Sequence, residues 1–411
     1  MIFVEIAVGA LVAGAWAYCV LGIIAALAQR RNRHNKSSHW WRRHSCLQRR
    51  DSSRRFRKPE IPQNVTEAAL NGCATSVGIS ILKPLAGIEN SLEQNLRSFF
   101  EQQYPDFELL FAVRGSSDPA VGLVERLQAE YPLVASRLIV TGEPPYANAK
   151  VFSLSRMTPA ATYDVLITSD SDVRASAGFL DRIALEVAED RYDLASCPYR
   201  AVPGSHIWSL LEALGINTEF WGGAFVAKLL EGVRFTVGPT VVARRKVFDA
   251  IPWDNLSPYL AEDFVLGQRA AELGFRVDLS QVVVEHHLSD DSFKQNFSHR
   301  LRWARSTRRS RPWGYVGQIF TNPLPLAIVF VALAPKFWLV LVITASLRAL
   351  TAYATSGWVL RDPLFRRWWF LIPVQDLLSF VFWWVGFSGN RISWRGRKYR
   401  LRADGTFELI G

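Results

Sequence analysis

Residues Ile6–Leu27 form an apolar run of 22 residues without a charged side chain, and the basic stretch Arg30–Lys58 follows directly. A helix of that length crosses a hydrocarbon core of about 30 Å. A cleaved signal peptide is the competing reading. It fits poorly, because the apolar core is long, no basic segment precedes it and Glu5 stands at its start. The sequence therefore predicts an uncleaved membrane anchor over 1–28. The basic stretch carries 12 Lys/Arg and one Asp, which equals the whole net charge of +11. Beside a membrane helix such a run fixes topology and attracts anionic lipid. It predicts a solvated linker over 29–60, with the domain after it in the cytoplasm. A nucleic-acid reading would rest on this run and its Trp40–Trp41 pair alone, and no nucleic acid is expected as partner.

The 15 Trp and 49% hydrophobic residues fit a chain that is part membrane and part soluble. Leu324–Leu333 and Phe337–Leu347 read as two helices hinged at Pro335-Lys336, and Arg361, Arg366 and Arg367 return the chain to the cytoplasmic face. Trp368–Phe387 is apolar but contains Pro373, Gln375 and Asp376, so it crosses, re-enters or lies in the interface. Membrane helices are thus expected over 313–390, then a basic cytoplasmic tail over 391–411. Cys19, Cys46, Cys73 and Cys197 have neither metal-ligand nor disulfide-framework spacing.

Between these membrane parts, 61–312 alternates short β-rich stretches with helical ones. The strands are expected at Ser76–Leu82, Phe107–Val113, Ser136–Val140 and Asp164–Thr168, and helices at Ser91–Gln103, Ala120–Glu130 and Asn148–Met157. This is an α/β pattern with a parallel sheet covered on both faces. Ligands of such sheets bind beyond the carboxyl ends of the strands. Asp118 follows the second strand and Asp170-Ser171-Asp172 the fourth, so both fall on that rim.

Each candidate is ambiguous alone. Asp170 and Asp172 can face one hard cation, Mg²⁺ or Mn²⁺, but Asp-x-Asp is also ordinary turn chemistry. Asp263, in Ala261-Glu262-Asp263, is a candidate general base or simply an acidic residue in a first helical turn. His299, Arg302 and Trp303 share a helix face. There Arg302 could grip a diphosphate and Trp303 offer a flat wall, unless the helix only lies on anionic lipid. Lys83 and Lys150 are candidate nucleotide contacts, and His286-His287 a weaker candidate for a further metal ligand.

Taken in order, these pieces resemble the ceramide glucosyltransferase family. The resemblance rests on Ile79-Ser80-Ile81-Leu82-Lys83-Pro84-Leu85, Ser116-Ser117-Asp118-Pro119-Ala120, Asn148-Ala149-Lys150-Val151 and Ser169-Asp170-Ser171-Asp172. It continues through Ala261-Glu262-Asp263, Arg302-Trp303 and the C-terminal Ile392–Arg402. It implies a GT-A (Rossmann-like) catalytic domain and an inverting hexosyltransferase that moves a sugar from a UDP-sugar donor to a membrane lipid acceptor. It also implies roles: Asp118 at the uridine, Asp170 and Asp172 at metal and diphosphate, Asp263 as base, and Arg302-Trp303 in a (Gln/Arg)-x-x-Arg-Trp element. His299 departs from the first position of that element, and Asp172 replaces a Gly of animal relatives. Both, with Leu211–Asn217, resemble the bacterial hopanoid-biosynthesis glycosyltransferases instead. That alternative implies N-acetylglucosamine as the sugar and a bacterial inner membrane. A processive polysaccharide synthase also uses an Arg-Trp element, but needs more membrane helices than this chain offers. A lipid-tethered module without activity is the non-enzyme alternative.

Overall fold

A computed structural model of the chain describes residues 2–51, 77–394 and 397–410. Its strands are β1 (Ile79–Pro84), β2 (Phe107–Val113), β3 (Ala135–Val140), β4 (Val165–Ser169), β5 (Val173–Arg174), β6 (Leu194–Ser196), β7 (Tyr199–Val202), β8 (Thr240–Arg244), β9 (Val277–Leu279) and β10 (Val284–His287). Near the C-terminus follow β11 (Arg391–Trp394), β12 (Arg397–Leu401) and β13 (Phe407–Leu409). The main sheet has the order β3-β2-β1-β4-β8-β6-β9. Its first four strands are parallel, as expected. Beyond β4 it is mixed, because β8 runs antiparallel to both β4 and β6.

Side-chain alternation explains why these runs are continuously apolar. Ile79, Ile81, Leu109, Phe111, Val165 and Ile167 enter one core, with helices Leu92–Phe100, Ala120–Glu130 and Phe179–Ala188. Leu82, Leu110, Ala112 and Leu166 point the other way, against helices Ala149–Ala160 and Glu262–Glu272. A strand buried on both faces needs apolar residues at every position. The edge strands β3 and β9 show partial exposure along their length. Register sets the active rim: Leu82 pairs with Leu110 and Thr168, so β1, β2 and β4 end nearly level.

Helix Ile2–Asp51 runs through the anchor and into the basic run, where no Pro or Gly interrupts it. The remainder of the expected linker, 52–60, lies outside the described residues. Three helical segments are long and apolar enough to cross a membrane: Ile2–Arg31, Pro335–Leu360 and Pro363–Gly386. A fourth, Pro312–Thr321 with Pro323–Leu333, is bent by 62°. Prolines stand in the first turn of the C-terminal helices, where the missing N–H is no loss, and each ends the helix before it. The segment read as crossing, re-entering or lying in the interface falls within a helical stretch of spanning length, Pro363–Gly386.

Inside this bundle Arg348 makes a two-pronged ion pair with Asp376, both contacts at 2.8 Å, and also donates to Thr218 Oγ1 at 3.2 Å. Both charged side chains are buried. The basic helix Phe293–Ser310 has a use besides any lipid contact. Arg305 donates to the carbonyls of Ser388 (3.0 Å) and Arg391, and Arg308 to those of Phe387 and Gly389 (2.8 Å). These arginines satisfy the carbonyl groups left open where the last apolar helix ends. The segment after it, expected as a tail, is a three-stranded antiparallel sheet. Its Ile392, Tyr399, Leu401 and Phe407 pack on Leu260, two residues before Glu262. Cys19 and Cys197 are buried and free.

Removing one partner of a buried ion pair strands the other charge, at about 3–5 kcal/mol, whereas an apolar pair of similar volume is often tolerated. Arg348→Met and Asp376→Leu are each expected to lower the thermal unfolding midpoint in detergent more than the double variant does. A double variant worse than both singles would contradict this account.

Candidate active site

The rim of β1 and β4 gathers the predicted residues. Lys83, the fifth residue of β1, is fully buried and donates to Ser169 Oγ at 3.1 Å and to the Asp170 carbonyl at 2.9 Å. Its ammonium lies 3.9 Å from the centre of the Phe99 ring, a cation–π contact. Burial drives the Lys83 amine down to about 7, with Asp170 and Asp172 pulling back only in part.

Asp170 Oδ1 takes a 2.7 Å ion pair from Lys150, whose Nζ is also 3.6 Å from Glu262 Oε1. Asn148 sets Lys150 in place: its side chain caps helix Ala149–Ala160 through Val151 N, and its amide nitrogen reaches Glu262 Oε2 at 3.3 Å. Asp172 Oδ2 lies 3.0 Å from His286 Nε2. The second sheet makes that contact, because β10 pairs with β5 and sets His286 opposite Val173. The two carboxylates are electrostatically unequal. Burial raises Asp170, with Lys150 opposing and the charge of Asp172 adding. Burial acts on Asp172 as well, but His286 outweighs it and holds Asp172 below its ordinary value. Asp172 Oδ1 is buried and makes no hydrogen bond.

Asp263 sits in the first turn of helix Glu262–Glu272, and a Cβ on Gly238 would come within 2.9 Å of its Oδ2. That close approach is why Gly suits position 238. Burial raises the Asp263 carboxyl, while Lys150 and the amides of Phe264 and Gly238 restrain the rise. Glu262 is pushed up to about 7 by burial, against the pull of Lys150 and with the charge of Asp263 adding to the rise.

Asp118 lies on the rim as expected, but its carboxylate is engaged with backbone. It accepts from Gly87 N at 3.0 and 3.1 Å and from Ala120 N at 2.9 Å, so it shapes the loop after β1. On helix Phe293–Ser310, His299, Arg302 and Trp303 line the same cleft. His299 Nδ1 stands 3.0 Å from Glu212 Oε1, and its ring centre is 4.8 Å from that of Trp303.

The carboxylates, Lys150, His286, His299, Arg302 and Trp303 border one cleft of about 1810 Å³, whereas Lys83 and Asn148 are buried behind its wall. At one end it is bounded by Asp118, Asp170 and Asp172. It extends to residues of the apolar helices, among them Tyr18, Gln375 and Phe382. Two acidic participants carried no assigned role in the sequence. Glu262 lies inside a motif from which only Asp263 was singled out. Glu212 had a signal: it is a lone carboxylate in the apolar run Leu210–Leu214, a placement that demands a partner.

The residues fit a hard divalent ion. Two carboxylates two positions apart, one with an orphaned buried oxygen, supply the donors that Mg²⁺ or Mn²⁺ favours, and such ions take further ligands from water and phosphates. Accordingly, among the described residues no cluster of three His, Cys, Asp or Glu side chains is needed or present.

A mixed α/β sheet with an acidic rim, set on apolar helices, defines a glycosyltransferase of the GT-A kind. The chain matches the model of glycosyl transferase family 21 over residues 54–407 and belongs to that family. Ceramide glucosyltransferase 3 of Caenorhabditis elegans is 27% identical over 230 residues, 56% of this chain and 50% of that protein. Ceramide glucosyltransferase of Komagataella phaffii is 36% identical over 109 residues, 26% of this chain and 21% of the relative. The chain thus spans at most about half the length of these curated relatives. Among solved structures, the mannosyltransferase PcManGT from Pyrobaculum calidifontis in complex with GDP-Man and Mn²⁺ aligns at 16% identity and a TM-score of 0.43. The alignment covers 92% of this chain and 99% of that one.

Glu262 gives the site a pH signature. Its folded-state value, about 7, is raised above the ordinary 4.5, so the folded chain holds this proton more tightly than the unfolded one. The resulting stabilisation is full below about 4.5 and is lost as pH rises toward about 7. Relative to Glu262→Gln, which does not titrate, the native chain should lose thermal stability across that window. A constant difference in unfolding midpoint between the two proteins would rule the effect out.

Proposed function

We propose that this chain transfers a sugar, glucose from UDP-glucose, to a primary hydroxyl of a membrane lipid such as ceramide, with inversion at the anomeric carbon. The observation that carries the reading is the single cleft shared by the acidic rim and the apolar helices. Such a cleft lets a water-soluble nucleotide sugar and a lipid head reach the same carboxylate. The named activity of the family-21 relatives supports the choice of sugar and acceptor.

In this reading Asp263 takes the proton from the lipid hydroxyl as its oxygen attacks the anomeric carbon and the bond to the diphosphate breaks. A buried carboxylate whose pKa is raised is suited to that task. Arg302 grips the diphosphate and Trp303 walls the sugar or lipid. Lys83 and Lys150 keep the acidic pair from repelling the donor, and the loop shaped by Asp118 receives the uridine. Mg²⁺ or Mn²⁺ held by Asp170 and Asp172 would supply neutralisation of the diphosphate charge. The basic run 30–58 would then lie at the anionic cytoplasmic face.

Asp263→Asn is expected to bind UDP-glucose normally and to lose transfer by about 10²-fold or more, the usual scale of a positioned base. Normal turnover by that variant would remove Asp263 from the mechanism. Chelation should abolish transfer and added Mn²⁺ or Mg²⁺ restore it. To decide the sugar, membranes carrying the chain are supplied with labelled UDP-glucose or UDP-N-acetylglucosamine and the lipid product is identified by mass spectrometry. A glucosylated lipid is expected. A product carrying only N-acetylglucosamine would favour the hopanoid-type alternative.

A further inference from the structure

The bend between Pro312–Thr321 and Pro323–Leu333 falls at Asn322. An interrupted helix at membrane depth leaves polar groups that hydrocarbon cannot satisfy, and it is tolerated where protein or a cavity covers it. Here the break faces the cleft, which Thr321 and Asn322 line together with Glu219. Glu219 belongs to the π-helical turn Ile216–Phe220.

The hydrogen bonds at this corner do not close on themselves. Glu219 Oε1 accepts from Thr321 Oγ1 at 3.0 Å and from Asn322 Nδ2 at 3.4 Å. The Asn322 amide nitrogen also faces the Gln318 carbonyl at 3.4 Å. With Thr321 Oγ1 at 3.1 Å, three acceptors fix that nitrogen and turn Oδ1 away from them. Asn322 is only 1% exposed, yet its Oδ1 makes no hydrogen bond. Glu219 Oε2 makes none among the described residues. Neighbouring arginines are engaged elsewhere, Arg348 with Asp376 and Arg311 with Glu231. Arg300 and Arg348 act on Glu219 only through their field, without a direct ion pair, and a carboxylate that lines a cavity near apolar helices with one oxygen open can bind donors.

We propose that Glu219 and Asn322 form the subsite for the head of the acceptor lipid, where they accept hydrogen bonds from hydroxyl or amide groups other than the hydroxyl that is glycosylated. The inference rests on the lipid-transfer reading above. It makes the acceptor a lipid with at least two donors in its head, and it disfavours a lipid whose single hydroxyl is the one consumed. Sites built to pair a polar group reject analogues that lack it, because the protein's own acceptors are then left buried and unpaired.

The test uses the full chain in detergent with three readouts: binding of a fluorescent short-chain ceramide, transfer from UDP-glucose to ceramide or to a short-chain diacylglycerol, and hydrolysis of UDP-glucose by water. Glu219→Ala is expected to weaken ceramide binding about tenfold or more, to shrink the preference for ceramide over diacylglycerol, and to leave UDP-glucose hydrolysis unchanged. Should that variant lose hydrolysis as well and so fail to fold, Asn322→Ala and the isosteric Glu219→Gln, which keeps only one of the two carboxylate acceptors, must show the same selective loss. Unchanged ceramide binding in folded variants overturns the subsite while leaving transfer intact. A native chain that binds ceramide through Glu219 but transfers nothing overturns the transfer reading and leaves the subsite standing.

Discussion

Two carboxylates withdrawn from water at the end of one strand repel each other and lose their hydration, so everything around Asp170 and Asp172 must offset that cost. The fold brings a basic group from each of three separate elements. Lys83 comes up through β1, Lys150 from a helix capped by Asn148, and His286 from the small second sheet. Each contact fixes a relationship between elements distant in sequence: 87 residues separate Lys83 from Asp170, and 114 separate Asp172 from His286. The acidic rim is therefore also what holds the two sheets in one orientation. These contacts use one oxygen of Asp172 and leave the other, Oδ1, without a hydrogen bond.

The membrane part is built by a related logic with stricter terms. Between apolar helices a polar group can be met only by another polar group, and three such contacts tie separate elements together. Trp16 donates to Thr344 at 2.8 Å, Thr351 to the Cys19 carbonyl at 3.1 Å, and Arg348 locks onto Asp376. The first two ties join the N-terminal helix to the C-terminal ones across more than 300 residues. The arginines of helix Phe293–Ser310 then fasten the end of the last apolar helix to the catalytic domain. Cleft and bundle are consequently joined, and residues of the apolar helices line one part of the cleft.

Much of this was legible in the sequence where a single physical rule dominated. The first four strands and their helices followed from apolar runs bounded by polar turns. The acidic rim followed from where those strands end. What escaped reading depended on contacts that no local pattern encodes. The antiparallel β8 and the short β6 and β9 gave no distinctive run, so the mixed half of the sheet was not foreseen. Asp118 was rightly placed on the rim, yet its carboxylate is spent on the amides of Gly87 and Ala120, one of them 31 residues away. The C-terminal residues read as a solvated basic tail because their charges dominate. Their alternating Ile392, Tyr399, Leu401 and Phe407 nonetheless build a small sheet against Leu260. Pro373, Gln375 and Asp376 left open whether their segment crosses a membrane. Pro373 falls in the first turn of Ile372–Gly386, after the 3₁₀ turn Trp369–Leu371, and Asp376 is met by Arg348, pairings that no local pattern shows.

His299 shows how a departure from a family pattern can be absorbed. An imidazole at that position needs a partner, and helix Ile207–Gly215 provides one in Glu212, which is buried and also accepts from Asn296 one turn earlier on the His299 helix. Burial would push the Glu212 carboxyl up, but His299 holds it below its ordinary value. The carboxylate is thus kept ionised inside an apolar helix by the residue that departs. Because His299 and Trp303 are four apart and their rings nearly touch, the same pairing also fixes the indole that walls the cleft. The departure and the lone glutamate belong together as one device: His299, paired with the buried Glu212, packs against the indole that borders the cleft.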